Sequence, residues 1–260
     1  MSNVLVPTSA EEAAAVFGDG TGVTVLAGGT LVVPALALGR LQADRTLYLG
    51  KAGLDRIERS NGTVTIGAMT PVSALIDGAP EPLATFARHV ADYEIRGQAT
   101  IGGNLCAAPG TTTPTGDLQA PLLALDARVR SVGAGGERTQ SVDDFLAAGP
   151  GGRLVLAIEV DAPKRAASAA VRRPHAHAYS VLAVAAAETA NGVRVAILGA
   201  APNARRAVSV ESALAAGASA ADAGAKALDD VEPQDDALAS AWYQRQVLPG
   251  LVERALEGLR

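Results

Sequence analysis

Between Ala99 and Asp117 the chain reads Ala-Thr-Ile-Gly-Gly-Asn-Leu-Cys-Ala-Ala-Pro-Gly-Thr-Thr-Thr-Pro-Thr-Gly-Asp. Four glycines, two prolines and five threonines surround one asparagine and one carboxylate. Glycine removes the Cβ constraint and proline removes an N–H, so the run is expected to continue neither a helix nor a central strand. It can turn the backbone so that several N–H groups point at an anion, with hydroxyls as further donors. The following Asp117-Leu-Gln-Ala-Pro-Leu-Leu-Ala-Leu reads as a helix with Asp117 at its start. Standing alone, such a run is accounted for by a surface loop capped by Asp117. A second glycine turn, Ala27-Gly-Gly-Thr30, gives the anion reading its weight. Glycines at 28 and 29 allow close backbone approach, and the Thr30 hydroxyl and the free N–H groups of a helix start would face the same point. Taken singly, a tight turn serving only the fold explains that element equally well. No Gly-x-Gly-x-x-Gly and no Gly-Lys-Ser/Thr occurs there, so it is neither a Rossmann fingerprint nor a Walker loop.

The elements that must position these two turns are legible in outline. Thr8 and Ser9 each precede a glutamate by three residues, a doubled capping-box signal for a helix through Phe17. Val23 to Ala27 is a short β-rich run, and Leu31 to Leu38 resumes as a helix in which Pro34 falls in the first turn. Thr46 to Leu49 is a strand. Ile57 to Gly67 is a hairpin around Asn61-Gly62. Pro71 to Asp77 and Pro82 to Val90 are short helices. Arg128 to Val132, a turn at Gly133 to Gly136, a small helix at Val142 to Leu146 and a strand at Leu154 to Val160 follow the central run. A boundary falls between Ala162 and Ala169. Beyond it, Val181 to Thr189 and Val193 to Leu198 flank a second hairpin turn at Asn191-Gly192, and helices are expected at Val210 to Ala216 and Ala220 to Leu228. Asp236 to Leu259 reads as a final helix kinked at Pro249, with a core-facing stripe of Leu238, Trp242, Leu248, Leu251, Leu256 and Leu259.

Composition narrows the function. At 260 residues the chain is comfortable for two domains. It is 48% hydrophobic and only 3% aromatic, so Ala, Val and Leu must build the core. The net charge of −5 carries no basic stripe, which makes nucleic acid and anionic membranes poor partners. Neither a leader-like start nor an apolar run of membrane-span length is present, so a cytoplasmic protein is expected. Cys106 is the single cysteine. It can form no internal disulfide, and neither an iron–sulfur cluster nor a Cys-type zinc site can be ligated by this chain alone. His89, His175 and His177 are too few and too poorly spaced to substitute, so no metal site is expected.

With both turns placed, the sequence resembles the flavin-bearing medium subunit of the molybdenum hydroxylases, the xanthine dehydrogenase and carbon monoxide dehydrogenase family. Three stretches carry the likeness: Ala27-Gly-Gly-Thr30; Ala99-Thr-Ile-Gly-Gly-Asn104 with Pro-Thr-Gly-Asp117 and its helix; and Ser240-Ala-Trp-Tyr-Gln-Arg245 leading into Val252-Glu-Arg-Ala-Leu256. The resemblance implies an α+β chain. Residues 1–163 would be a two-part FAD-binding domain of the vanillyl-alcohol-oxidase type. Residues 168–260 would be a smaller α/β domain with an antiparallel sheet and helices. It implies FAD contacts from Ala27, Gly28, Gly29, Thr30, Leu31, Thr100, Gly102, Gly103, Asn104, Asp117 and Tyr179. The glycines would supply N–H groups to the pyrophosphate, Thr100 and Asn104 neutral donors, Asp117 a contact to a ribose or ribityl hydroxyl, and Tyr179 either ring stacking or core packing. Leu31 stands where many relatives carry Asp, and Gly110 to Thr115 lengthen the second segment. Arg172 or Arg173 would replace a lysine that relatives bring to the flavin.

The implied activity is electron transfer. Electrons would come from [2Fe-2S] clusters on an iron–sulfur small subunit, pass through non-covalent FAD and leave to an external acceptor. Molybdopterin would sit on a large subunit, in a dimer of heterotrimers. Two other readings stay open: a stand-alone FAD reductase of the same fold, and a scaffold that has lost its flavin.

Overall fold

The doubled capping signal does start a helix. Ser9 accepts the N–H of Glu12 at 3.1 Å, and the Glu12 carboxylate reaches back to the N–H of Thr8 at 2.7 Å. In the computed structural model, which describes residues 3–107, 116–172 and 180–259, this helix, α1 (Ala10–Phe17), follows β1 (Asn3–Leu5) and precedes β2 (Val23–Leu26), α2 (Val32–Ala37) and β3 (Arg45–Tyr48). The three strands form a parallel sheet ordered β1-β3-β2. The first glycine turn therefore sits at the carboxyl end of an edge strand, between β2 and α2.

A second, antiparallel sheet completes the first part of the chain. The hairpin expected at Asn61-Gly62 is β4 (Ile57–Ser60) and β5 (Thr63–Gly67). Both turn residues have positive φ, +50° and +84°, as a two-residue hairpin requires. Four short helices follow: α3 (Val72–Gly78), α4 (Leu83–His89), α5 (Tyr93–Gln98) and α6 (Ile101–Leu105). After them come α7 (Gln119–Ala124), β6 (Arg128–Gly133), β7 (Gly136–Ser141), α8 (Val142–Ala148) and β8 (Arg153–Asp161). The sheet order is β4-β5-β8-β6-β7. Two of these elements correct the sequence reading. The Gly-rich run does contain a helix, since α6 takes in both Gly102 and Gly103. Asp117 caps nothing either: the N-cap of α7 is Leu118, whose N–H is accepted by Asn104 Oδ1 at 2.8 Å.

From Arg165 the chain builds a third sheet. Strands β9 (Arg165–Arg172), β10 (Ser180–Thr189), β11 (Gly192–Leu198) and β12 (Arg205–Arg206) pair antiparallel in the order β12-β11-β10-β9. Helices α9 (Val208–Ala215), α10 (Ala220–Gly224) and α11 (Ala241–Glu257) follow. This is the α+β arrangement expected, a two-part first unit followed by an antiparallel sheet with helices. One face of β10, with Leu182, Val184 and Ala186, packs with Leu248, Val252 and Leu256 of α11. The other, with Ala183, Ala185 and Ala187, joins the core of the first unit. The expected stripe on the last helix holds at Leu248, Leu251, Leu256 and Leu259, but Trp242 is 70% exposed and lies outside it. Among the described residues no helix is long and apolar enough to cross a membrane.

Helix α7 joins the two units. All six of its residues are buried, Gln119 among them. The Gln119 amide donates to Leu105 O at 3.0 Å and accepts the N–H of Ala204 at 3.2 Å, so one side chain ties α6, α7 and the third sheet. Just beyond α7, Asp126 accepts from Thr189 Oγ1, Asn191 Nδ2 and Arg194 Nε. Gln119→Leu keeps the volume and removes both bonds, leaving a buried carbonyl and a buried N–H unpaired. The expected loss is about 2–4 kcal/mol in urea unfolding; a change below about 0.5 kcal/mol would show that this side chain does not tie the units.

Candidate functional site

The two glycine-bearing segments, some seventy residues apart in sequence, meet backbone to backbone. A Cβ on Gly28 would lie 1.9 Å from Gln98 O and 3.1 Å from the Cα of Ala99, so no other residue fits there without moving one segment. Gly29 adopts φ +77°, the left-handed region that glycine enters without strain. Beside this contact opens a cleft of about 460 Å³. Its lining includes Ala27, Gly28 and Gly29 from the first turn, Val33 from α2, and Gln98 and Thr100 from the second segment; Gly102, Gly103, Asn104 and Asp117 lie outside it. Tyr48 comes from the end of β3, and Asp55 from the connection between β3 and β4.

The donors in this cleft can be traced one by one. Among the described residues, the N–H groups of Gly28, Gly29, Thr30 and Leu31 donate to no protein acceptor; α2 begins its own hydrogen bonding with Val33 N–H to Gly29 O at 2.9 Å. Four successive free donors on a glycine turn are what an anion needs. On the second segment the donors differ from the expectation. Gly102 N–H is taken by Ala68 O at 2.9 Å, and Gly103 N–H by the Thr100 hydroxyl at 3.1 Å. Neither glycine offers a free N–H. The free donor there, among the described residues, is the N–H of Thr100 itself. What the glycines provide is space: a Cβ at Gly102 would stand 2.8 Å from Ala68 O, and one at Gly103 would point toward the Cβ of Ala27, 3.9 Å away.

Asn104 and Asp117 lie further along. With its oxygen on the N–H of Leu118, the Asn104 amide keeps its NH₂ for a ligand. Burial pushes the Asp117 carboxyl up to about 7, against the opposing pull of its own backbone N–H and of the Arg172 guanidinium. Arg172 ends β9 and also bears on His89, whose imidazole is held low by burial and by Arg172, Arg88 and Arg96. Burial drives the Cys106 thiol up to about 12, so it is neither a nucleophile nor a redox group near neutral pH. Neither Cys106 nor His89 lines the cleft. Tyr179, Arg173 and the Gly110 to Thr115 stretch, all named from the sequence, lie outside the described residues.

Sequence reasoning missed Tyr48, Asp55 and Gln98. Their signal is weak: they sit at the end of a strand, in a connection, and at the end of an unrecognised helix. In a chain with four tyrosines, the placement of Tyr48 just before Gly50 was the available clue.

Comparison with known proteins agrees with this geometry. Residues 1–162 match the family described as FAD binding domain in molybdopterin dehydrogenase. The chain is 34% identical over 202 residues to the uncharacterized protein YgfM of Escherichia coli (strain K12), covering 76% of this chain and 74% of that one. It is 29% identical over 254 residues to the glyceraldehyde dehydrogenase medium chain of Sulfolobus acidocaldarius, with 89% of each covered. Among solved structures it superposes on a chain of the carbon monoxide dehydrogenase from Hydrogenophaga pseudoflava that lacks the Mo-pyranopterin moiety. The TM-score is 0.86 at 26% identity, over 99% of this chain and 96% of that one.

The raised Asp117 carboxyl has a consequence for the flavin-free protein. A carboxyl whose folded value of about 7 lies above its ordinary 3.8 binds protons more tightly folded than unfolded. Its contribution is fully present below the ordinary value and is lost as pH rises through the folded one. Unfolding of wild type and Asp117→Asn is therefore expected to diverge between about pH 4 and pH 7, the wild type weakening relative to the variant. A constant difference across that window would contradict the burial of this carboxyl.

Proposed function

The chain belongs to the family of FAD-binding domains of molybdopterin dehydrogenases, and from that premise we propose that it is the FAD-carrying electron-transfer subunit of a molybdenum-dependent hydroxylase or dehydrogenase. The observation that carries this reading is the run of N–H groups from Gly28 to Leu31, free among the described residues, which starts at the wall of a cleft whose other wall brings the free N–H of Thr100. In this reading residues 1–163 form the FAD-binding domain, and residues 168–260 the C-terminal domain found in carbon monoxide dehydrogenase flavoproteins.

The residues present fit the cofactor. Its pyrophosphate brings negative charge; Gly28, Gly29 and Thr100 bring free backbone donors to the cleft, Thr30 and Leu31 continue that run, and the one carboxylate of the lining, Asp55, is on the connection after β3. Gly28 lets the two segments touch backbone to backbone beside the cleft, while Gly102 and Gly103 let the second segment pack closely against Ala68 and Ala27. Asn104 donates through its NH₂. Asp117, half protonated near neutral pH, can donate to a ribityl hydroxyl as readily as accept from one. Among the described residues, Arg172 brings positive charge to bear on Asp117. When bound, FAD supplies the exchange between one-electron and two-electron carriers.

Attachment is non-covalent, because the thiol of Cys106 and the imidazole of His89 both lie off the cleft lining. The electron donor is an iron–sulfur subunit and the site of substrate hydroxylation a molybdopterin subunit, arranged as a dimer of heterotrimers in the cytoplasm. The single cysteine supports that division of labour, since a cluster needs thiolates that this chain does not have.

Two outcomes test the proposal. Acid precipitation of the FAD-loaded chain should release the flavin into the supernatant; colour kept in the pellet means a covalent link. The loaded chain alone should oxidise no purine, aldehyde or carbon monoxide, and substrate should bleach its flavin band only once iron–sulfur and molybdenum subunits are added. Direct reduction of the flavin by such a substrate, with no cluster present, would overturn this reading in favour of the stand-alone flavoenzyme. A chain that folds and takes up no flavin would favour the scaffold.

A further inference from the structure

One wall of the cleft has no counterpart in the glycine motifs. At the end of β3 the Tyr48 ring, 37% exposed, projects into the cleft. It crosses the position that a side chain at residue 50 would occupy: a Cβ on Gly50 would lie 2.2 Å from the Tyr48 hydroxyl oxygen and 2.3 Å from its Cζ. Glycine at 50 thus leaves room for the ring against the backbone, where it stays partly exposed to the cleft. The connection that follows is pinned to the antiparallel sheet by Gly67 N–H to Arg56 O at 2.8 Å and by Met69 N–H to Leu54 O at 2.7 Å. At its far end Asp55 lines the same cleft, and its carboxylate has no partner among the described residues. A partly exposed aromatic ring, an apolar floor of Leu49 and Leu54 and one unpartnered carboxylate are together a receptor for a nucleoside. The base stacks on the ring and the sugar hydroxyls donate to the carboxylate.

Resting on the FAD reading above, we propose that Tyr48 is the stacking platform for the adenine of the dinucleotide and Asp55 the acceptor for its ribose. The adenosine then lies toward the β3–β4 connection and the flavin toward Asn104 and Asp117. The direction follows from charge. A flavin is served by a cation near its pyrimidine edge, and none of the residues that line the cleft is cationic, whereas the Arg172 guanidinium acts electrostatically on Asp117. Adenine needs no cation. The pyrophosphate donors at Gly28 to Leu31 fall between the two ends.

The test titrates the flavin-stripped full chain with FAD, with FMN and with ADP by calorimetry, in wild type and three variants. Tyr48→Ala is expected to weaken FAD and ADP by about ten- to a hundredfold, the range of a lost base–aromatic stack, and to leave FMN unchanged. Tyr48→Phe should match wild type for all three. Gly50→Ala, which displaces the ring at its flexible end, should weaken ADP as Tyr48→Ala does while the melting temperature holds. If FMN falls with FAD while ADP is unmoved, the ring serves the flavin and the proposed direction is wrong. If no ligand responds to either Tyr48→Ala or Gly50→Ala, Tyr48 is no platform. A wild-type chain that binds ADP and no flavin would sink the FAD reading and leave the adenosine subsite standing; one that binds none of the three would sink both.

Discussion

The contact between Gly28 and the backbone of Gln98 and Ala99 sets the geometry of everything around it. The two segments touch at a separation that excludes even a methyl group. Because β2 delivers one and the turn between α5 and α6 delivers the other, the parallel sheet and the helical layer of the first unit are held in one relation at this point. The cleft is the space left beside the contact. Its donors are free because neither segment can fold back on itself there. The first turn has the left-handed Gly29, and Thr100 enters α6 from extended backbone at φ −113°, ψ 156°.

A second constraint, polar rather than steric, sets where the third sheet stands. Gln119 and Asp126 bracket α7: Gln119 bonds to both units, and Asp126, from the first, accepts from residues of the third sheet. Their partners are the carbonyl that ends α6 and the strands of the last sheet, so a shift of that sheet would be felt at Asn104 and Asp117. Buried polar groups of this kind fix one arrangement because any slip leaves them unpaired. The alanine-rich strands β9 and β10 complement them: small side chains let α7 approach one face of the sheet while α11 covers the other. Scarcity of aromatic residues is thereby tolerated, since close approach does what bulk does in other cores.

Much of this was legible in the sequence where a local rule has a single structural solution. Ser9 and Glu12 gave the first helix, and Asn61-Gly62 and Asn191-Gly192 gave two hairpins. The first Gly-Gly turn lines the cleft, and of the second glycine segment it is Thr100, ahead of Gly102 and Gly103, that does so. What was not legible depends on long-range partners. Nothing local says that Gly102 N–H is taken by Ala68, or that Asn104 rather than Asp117 satisfies the start of α7. Helix α5 was missed because its six residues, Tyr-Glu-Ile-Arg-Gly-Gln, bury nothing and so carry no apolar period. Trp242 was assigned to the core on spacing alone, whereas the helix turns it outward before the stripe begins. Tyr48 ends β3, and Asp55 lies in the connection after it, whose importance comes from Arg56 being pinned to Gly67 of β5 and Leu54 to Met69 just beyond it.

The central claim is that the backbone donors of the first glycine turn, with the N–H of Thr100, hold an anionic dinucleotide. Amide chemical shifts of the isotope-labelled chain, followed as FAD is added, read those donors directly. The account predicts large shifts concentrated at Gly28, Gly29, Thr30, Leu31 and Thr100, with the already bonded amides of Gly102 and Gly103 moving far less. FAD binding that leaves the amides of residues 28–31 unmoved would contradict it.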